Sequence, residues 1–244
     1  MTQKQILTKP LMVWSLRLIV GVLGGINLNP AIASFDPPPE QGSPAGTAGG
    51  GSRPAQSACF PQTSHLSGLT ALSPTAYVGL TTRDRPTVHI YLPATTAQMA
   101  ELSLFDAQGR GIYQTTVPIS STDTLVRFSF PSTAPILSAD QPYYWAVALI
   151  CNPNQRTDDW IIGGWIRQQT PDPWLQRQLA TASGVEQVKL YAEAGFWYDA
   201  LETLVQLQQA HPQDSALGSV WARLLQSIGL PQLTRMPSSA FTDQ

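Results

Sequence analysis

Two hydrophobic periods divide the chain. From about Leu66 to Arg167 apolar residues alternate with polar ones in short runs, and after Thr170 they recur every three to four positions. Thr87 to Leu92 shows the first pattern: Val88, Ile90 and Leu92 face one way, and Thr87, His89 and Tyr91 the other. Glu101–Phe105 and Gly111–Val117 flank Asp106–Arg110, a loop whose late glycine suits a bulged hairpin. Leu125–Phe130 points Val126, Phe128 and Phe130 inward. Tyr143–Cys151 is apolar on both faces, as a central, doubly covered strand would be, and Trp160–Arg167 follows as the last strand. Six or seven short strands without a helical period predict an antiparallel β-sandwich, immunoglobulin-like but not a true immunoglobulin domain, because Cys59 precedes the first good strand.

Beyond Thr170 four short helices are predicted, making the fold class α+β. Asp172-Pro173 is an N-cap with proline in the first turn, and the helix it opens runs to about Ala182. Ser183-Gly184-Val185-Glu186 reads as a capping box for a second helix ending at Ala194, which Gly195 breaks. A third runs from Trp197 to Ala210 with Ala200, Leu201, Leu204, Val205 and Leu207 on one stripe, and Pro212 closes it. Asp214 caps a fourth carrying Leu217, Val220, Trp221, Leu224, Leu225 and Ile228, stopped by Gly229 and Pro231. Residues 231–244 are expected to be disordered.

The N-terminal part changes the picture from a bare domain to an exported one. Lys4 and Lys9 precede an apolar or glycine run from Leu18 to Ile26, and Ala31-Ile32-Ala33 supplies a small-x-small cleavage pattern. Residues 1–33 are therefore read as a signal peptide cut before Ser34. The alternative is a membrane anchor, but Arg17 shortens the apolar run to well below the roughly 20 residues of a span. Residues 34–58, with Pro37-Pro38-Pro39 and Gly49-Gly50-Gly51, form a disordered linker. This leaves 59–170 as the sandwich domain and 171–230 as the helical tail. A periplasmic or secreted location follows, with no membrane span after cleavage.

Charge and cysteine content narrow the function classes. Of the 14 basic residues, Lys4, Lys9 and Arg17 lie before position 34, which leaves 11 against 16 acidic residues, with Lys189 the only lysine. Such a chain has no phosphate-binding footprint, so nucleic acid is not an expected partner. The two cysteines, Cys59 and Cys151, favour a disulfide in an exported chain; buried thiols or a metal pair are the alternatives. A zinc site would need further ligands at close spacing, and His65, His89 and His211 are scattered singly.

The residues that could carry chemistry are few. His65 lies near Ser64 and Ser67 in a loop without the context of a nucleophile elbow. His89 reads as a half-exposed sheet residue. Asp158-Asp159 reads as a solvated turn, with weak calcium binding as the alternative. Asp199 and Glu202 sit three apart on the third helix, where Glu202 is expected to face solvent. No phosphate loop, dinucleotide fingerprint or metal motif is present. No catalytic residue, cofactor or metal is assigned. Of the six tryptophans beyond the linker, Trp145, Trp165 and Trp221 are expected in the core. Trp197 and Tyr198 are the candidate interdomain or binding contacts.

Val185–Pro212 resembles a single tetratricopeptide repeat. Tyr191, Gly195, Ala200, Leu204, Leu207 and Pro212 fall at its helix-A aromatic, turn glycine, helix-B small residue, helix-B apolar positions and closing proline. The chain from about 35 to 230 also resembles domain-of-unknown-function family 928, known mainly from cyanobacteria. The residues that carry this are Leu69-Thr70-Ala71-Leu72, Gly79-Leu80-Thr81-Thr82, Tyr144-Trp145 running into Leu149 and Cys151, Gly164-Trp165-Ile166-Arg167, and Gly195-Phe196-Trp197-Tyr198-Asp199-Ala200-Leu201. That family brings no activity with it. The function expected is a non-catalytic interaction or binding module of the cell envelope, its partner an envelope protein or cell-wall glycan; the alternative is an envelope hydrolase without a recognisable motif.

Overall fold

The computed structural model describes residues 59–60, 68–120, 124–234 and 241–243. The proposed signal peptide, the cleavage site, the linker and His65 lie outside them. Eight strands lead into four helices: β1 (Thr70–Ala71), β2 (Gly79–Thr81), β3 (Thr87–Leu92), β4 (Met99–Asp106), β5 (Gly111–Pro118), β6 (Thr124–Ser129), β7 (Pro142–Leu149), β8 (Trp160–Gln168), then α1 (Pro173–Thr181), α2 (Val185–Glu193), α3 (Trp197–Ala210) and α4 (Ser215–Ser227), with a last strand β9 (Phe241–Asp243). The strands form two sheets, ordered β1-β3-β6-β9 and β2-β8-β7-β4-β5. This is the α+β architecture expected, a β-sandwich followed by helices. Each sheet is antiparallel except for one parallel edge pair, β2 on β8 and β9 on β6.

The alternation that predicts the strands also fills the core. Val88, Ile90, Leu92, Val126 and Phe128 of one sheet join Leu102, Leu104, Trp145, Val147 and Leu149 of the other in a single buried cluster. Strand β7 lies in the interior of its sheet, between β8 and β4. Its second face is closed because Tyr144 lies over Gly163, where an added Cβ would stand 2.8 Å from the tyrosine oxygen. At the β4–β5 turn, Gly109 takes φ 76° and the pairing slips between Leu104 and Phe105, the bulged hairpin expected. Asp106 Oδ1 accepts the backbone N–H groups of Gln108 and Arg110 at 2.9 Å, fixing the turn.

Cys59 and Cys151 are joined as a disulfide, with Cα atoms 5.2 Å apart. Cys59 is buried, and its carbonyl accepts Thr96 N–H at 2.9 Å and the Thr95 hydroxyl at 2.6 Å. Phe60 packs edge-on against Trp160 at 4.9 Å. The start of the domain is thus bonded to the end of its most apolar strand.

Helix ends follow their caps in two cases and depart in a third. Asp172 accepts Leu175 N–H at 2.8 Å, and Asp214 accepts Ala216 N–H at 2.9 Å. At α2 the predicted capping box does not form: Gly184, at φ 57°, is the N-cap, and no side chain caps the helix. A glycine already in the left-handed region sets the entry angle, which leaves Ser183 out of reach of the first turn. Residues 231–244, expected to lack structure, contribute a 3-10 turn at Pro231–Leu233 and strand β9. Trp221 anchors that turn through its indole N–H, 3.1 Å from Leu233 O. Among the described residues no helix is long and apolar enough to cross a membrane.

Candidate functional site

The first turns of α3 hold the helices to the sandwich through a row of buried polar contacts. Gly195, at φ 80°, ends α2 and turns the chain so that Trp197, Tyr198, Asp199 and Glu202 all point into β-structure. Trp197 Nε1 donates to Leu72 O at 2.9 Å. The Tyr198 hydroxyl stands 2.8 Å from Trp145 Nε1, 2.9 Å from Ser73 Oγ and 3.0 Å from Trp165 O. A phenol donates once and accepts twice. The Trp165 carbonyl can only accept and the Trp145 indole can only donate, so the serine hydroxyl donates and every valence of the tyrosine is used.

The socket for Tyr198 is made by side chains that are missing. An added Cβ at Gly79 would stand 2.6 Å from the tyrosine ring, and one at Gly164 would stand 2.1 Å from Ser73 Oγ and 3.1 Å from Trp145 Nε1. Burial holds the phenol well above the ordinary range for tyrosine, with the Ser73 and Trp145 hydrogen bonds only partly opposing it.

Two carboxylates lie further along the same helix. Asp199 accepts Thr82 N–H at 2.8 Å and the Thr82 hydroxyl at 2.6 Å, with Arg83 at 3.9 Å. Burial pushes its carboxyl up, against these hydrogen bonds and the nearby guanidinium. Glu202 meets two Arg127 nitrogens, Nη2 at 2.6 Å and Nε at 3.1 Å, and accepts Gln206 Nε2 at 2.6 Å. His89 and Arg127 are register partners on β3 and β6. That pairing brings His89 Nε2 to 3.3 Å from Glu202, near enough for attraction though off the hydrogen-bonding angle. His89 Nδ1 is buried and has no hydrogen-bond partner among the described residues.

Burial would raise the Glu202 carboxyl, but His89 and the Arg127 fork outweigh it and hold it down to about 2 from an ordinary 4.5. A carboxyl lowered by folding stabilises the fold above its ordinary value, and that stability is lost as pH falls toward the folded value. Acid titration of stability should therefore show a loss between pH 4.5 and about 2 that is absent in Glu202→Gln. Asp199 contributes with the opposite sign. Equal acid sensitivity of the two proteins would refute the assignment.

Three expectations are corrected here. His89, expected to be half exposed, is 0% exposed, because α3 covers the second face of β3. Glu202, expected in solvent, is 1% exposed because α3 is enclosed on two sides rather than one. Asp159, expected in a solvated turn, is buried, with its carboxylate bound by Arg156 Nε and by Cys151 N–H at 3.2 Å. Asp158 is half-buried and accepts Gln155 Nε2 at 3.1 Å. Among the described residues no three His, Cys, Asp or Glu side chains gather as metal ligands would. Trp145 and Trp221 are in the core, while Trp165 is half-buried, its ring against Tyr144 at 5.4 Å.

These features define a class: an α+β protein in which a β-sandwich and a helical tail share one core and a polar seam. The family described as Domain of Unknown Function (DUF928) matches residues 48–238, and the chain belongs to that family. Among solved structures the chain is similar to the fn3 domain of human collagen alpha-1(XX) chain, at 12% identity over 47% of this chain and 93% of that one, with a TM-score of 0.26. It is also similar to a Parabacteroides merdae β-glucuronidase crystallised with glycerol in its active site, at 10% identity over 65% of this chain and 31% of that one, with a TM-score of 0.24. Among curated proteins none matches.

Proposed function

We infer that this is an exported cell-envelope protein acting as a non-catalytic binding module, with an envelope protein or cell-wall glycan as its partner. One observation carries the reading. The buried ionisable groups along this seam, His89, Asp199 and Glu202, are 0, 3 and 1% exposed, and the carboxylates are spent on holding α3 to the sandwich. A substrate would have to part the helices from the sheets to touch them. The tetratricopeptide-like hairpin is used in the same way, since the start of α3 presents its side chains to the sandwich. Export is supported by the signal-like leader and the disulfide.

N-terminal sequencing of protein from its source should begin at Ser34; an intact Met1 or Thr2 would overturn export. Pull-down from envelope fractions, alongside co-sedimentation with purified cell wall, should retain a partner on one of the two. The competing hydrolase reading would prevail if the pure protein cleaved envelope glycan or peptide and His89→Gln abolished cleavage with its melting temperature unchanged.

A further inference from the structure

Sheet edges are templates for further pairing, and natural folds blunt them. Three of the four edges here are blunted. Strands β1 and β9 are two and three residues long. Strand β2 has three residues and is covered by the turn before α3, Leu80 N–H donating to Gly195 O at 3.3 Å. The fourth edge, β5, is different. It is eight residues long, carries no charged side chain from Gly111 to Pro118, and among the described residues pairs only with β4.

The pairing phase identifies which backbone groups of β5 are free. Ile119 N–H donates to Gln98 O at 2.9 Å, and the β4–β5 register carries that phase to Val117, Thr115 and Tyr113. The other side of β4 agrees, because Ile150 N–H, on the β7 side, donates to Met99 O at 3.0 Å. The N–H and C=O groups of Gln114 and Thr116 therefore point away from the sheet, and Ile112, the extra residue of the bulge, has no partner in the register. The row ends at Pro118, which has no N–H to offer, and at the bulge.

We propose that β5 pairs antiparallel with β5 of a second copy of this chain, about a two-fold axis at Gln114. That register sets Gln114 opposite its own counterpart and Ile112 opposite Thr116, all with side chains on the same exposed face. The Gln114 pair exchanges two backbone bonds. Charge also favours a second copy. The chain is acidic overall, and an uncharged strand is a place where two copies meet without opposing like charges. The cavity of about 360 Å³ beside the edge, lined by Glu101, Ser103, Phe105 and Ile112 to Gln114, would gain a wall from the partner strand. An interface of one strand pair is small, so the dimer should be weak and concentration-dependent.

Sedimentation velocity of the purified, disulfide-bonded protein over a concentration series should show reversible doubling of mass. Gln114→Lys places two ammonium groups face to face and should leave a monomer with an unchanged circular dichroism spectrum. Gln114→Cys should cross-link to a dimer on mild oxidation, since opposed Cα atoms in a bonded pair stand about 5.5 Å apart. Thr116→Cys should not, because its counterpart lies about 13 Å along the strand. A protein that stays monomeric up to millimolar concentration, a dimer that survives Gln114→Lys, or equal cross-linking of the two cysteine variants would each overturn the proposal.

Discussion

Reducing the Cys59–Cys151 bond should lower the melting temperature of the purified protein by about 10 °C. The bond closes a loop spanning 92 positions, which chain-entropy arguments value at about 4.6 kcal/mol, and in a chain of this size each kcal/mol moves the midpoint by roughly 2–4 °C. The native contacts of Cys59 with Thr95 and Thr96 do not depend on the bond, nor does the packing of Phe60 on Trp160. Most of the loss should therefore appear as a gain in unfolded-state freedom rather than as a changed fold. Calorimetry with and without reductant checks this, with Cys59→Ser/Cys151→Ser as the matched variant. Two reactive thiols in denatured, unreduced protein would refute it.

Replacing Tyr198 with phenylalanine should cost about 3 kcal/mol, a large loss for the removal of one oxygen. The hydroxyl is shared by Trp145, Ser73 and Trp165, all within 3.0 Å. Its removal strands a buried indole N–H and a carbonyl, each of which costs about 1–3 kcal/mol when left without a partner. Because Tyr198 belongs to a helix and its partners to the sandwich, the loss should be felt by both parts at once. Unfolding followed by far-ultraviolet dichroism and by tryptophan fluorescence should remain a single coincident transition, shifted to lower denaturant. Two separate transitions in the wild-type protein, or a Tyr198→Phe variant of unchanged stability, would show that the helices and the sandwich are held independently.

Much of this fold is legible in the residues. Alternation in Thr87–Leu92 and Leu125–Ser129 places β3 and β6, and the double apolar face of Tyr143–Leu149 marks an interior strand. Asp172, Asp214, Gly195 and Gly229 mark helix ends because capping and positive φ are local events. What sequence reading misses is non-local. Alternation shows that His89 and Tyr91 share a face of β3 but not that a helix covers it. The apolar stripe of α3 describes the side facing other helices. It says nothing of Glu202, whose surroundings come from strands more than 70 positions earlier. Strands β1 and β2 are too short to show a period. The signal that could have found the Tyr198 socket is the pair of glycines at 79 and 164, each where a strand would ordinarily carry a side chain.

The seam also sets the order in which the molecule can be completed. Leu72 and Ser73 wait for Trp197 and Tyr198, 125 positions later, and β2 waits for both β8 and the turn at Gly195. The part of the core that lies under α3 stays uncovered until that helix has been synthesised. Contacts of such long range make folding slow. Under the export proposed above, that delay would be an advantage: the sequence elements that finish the structure are among the last to arrive.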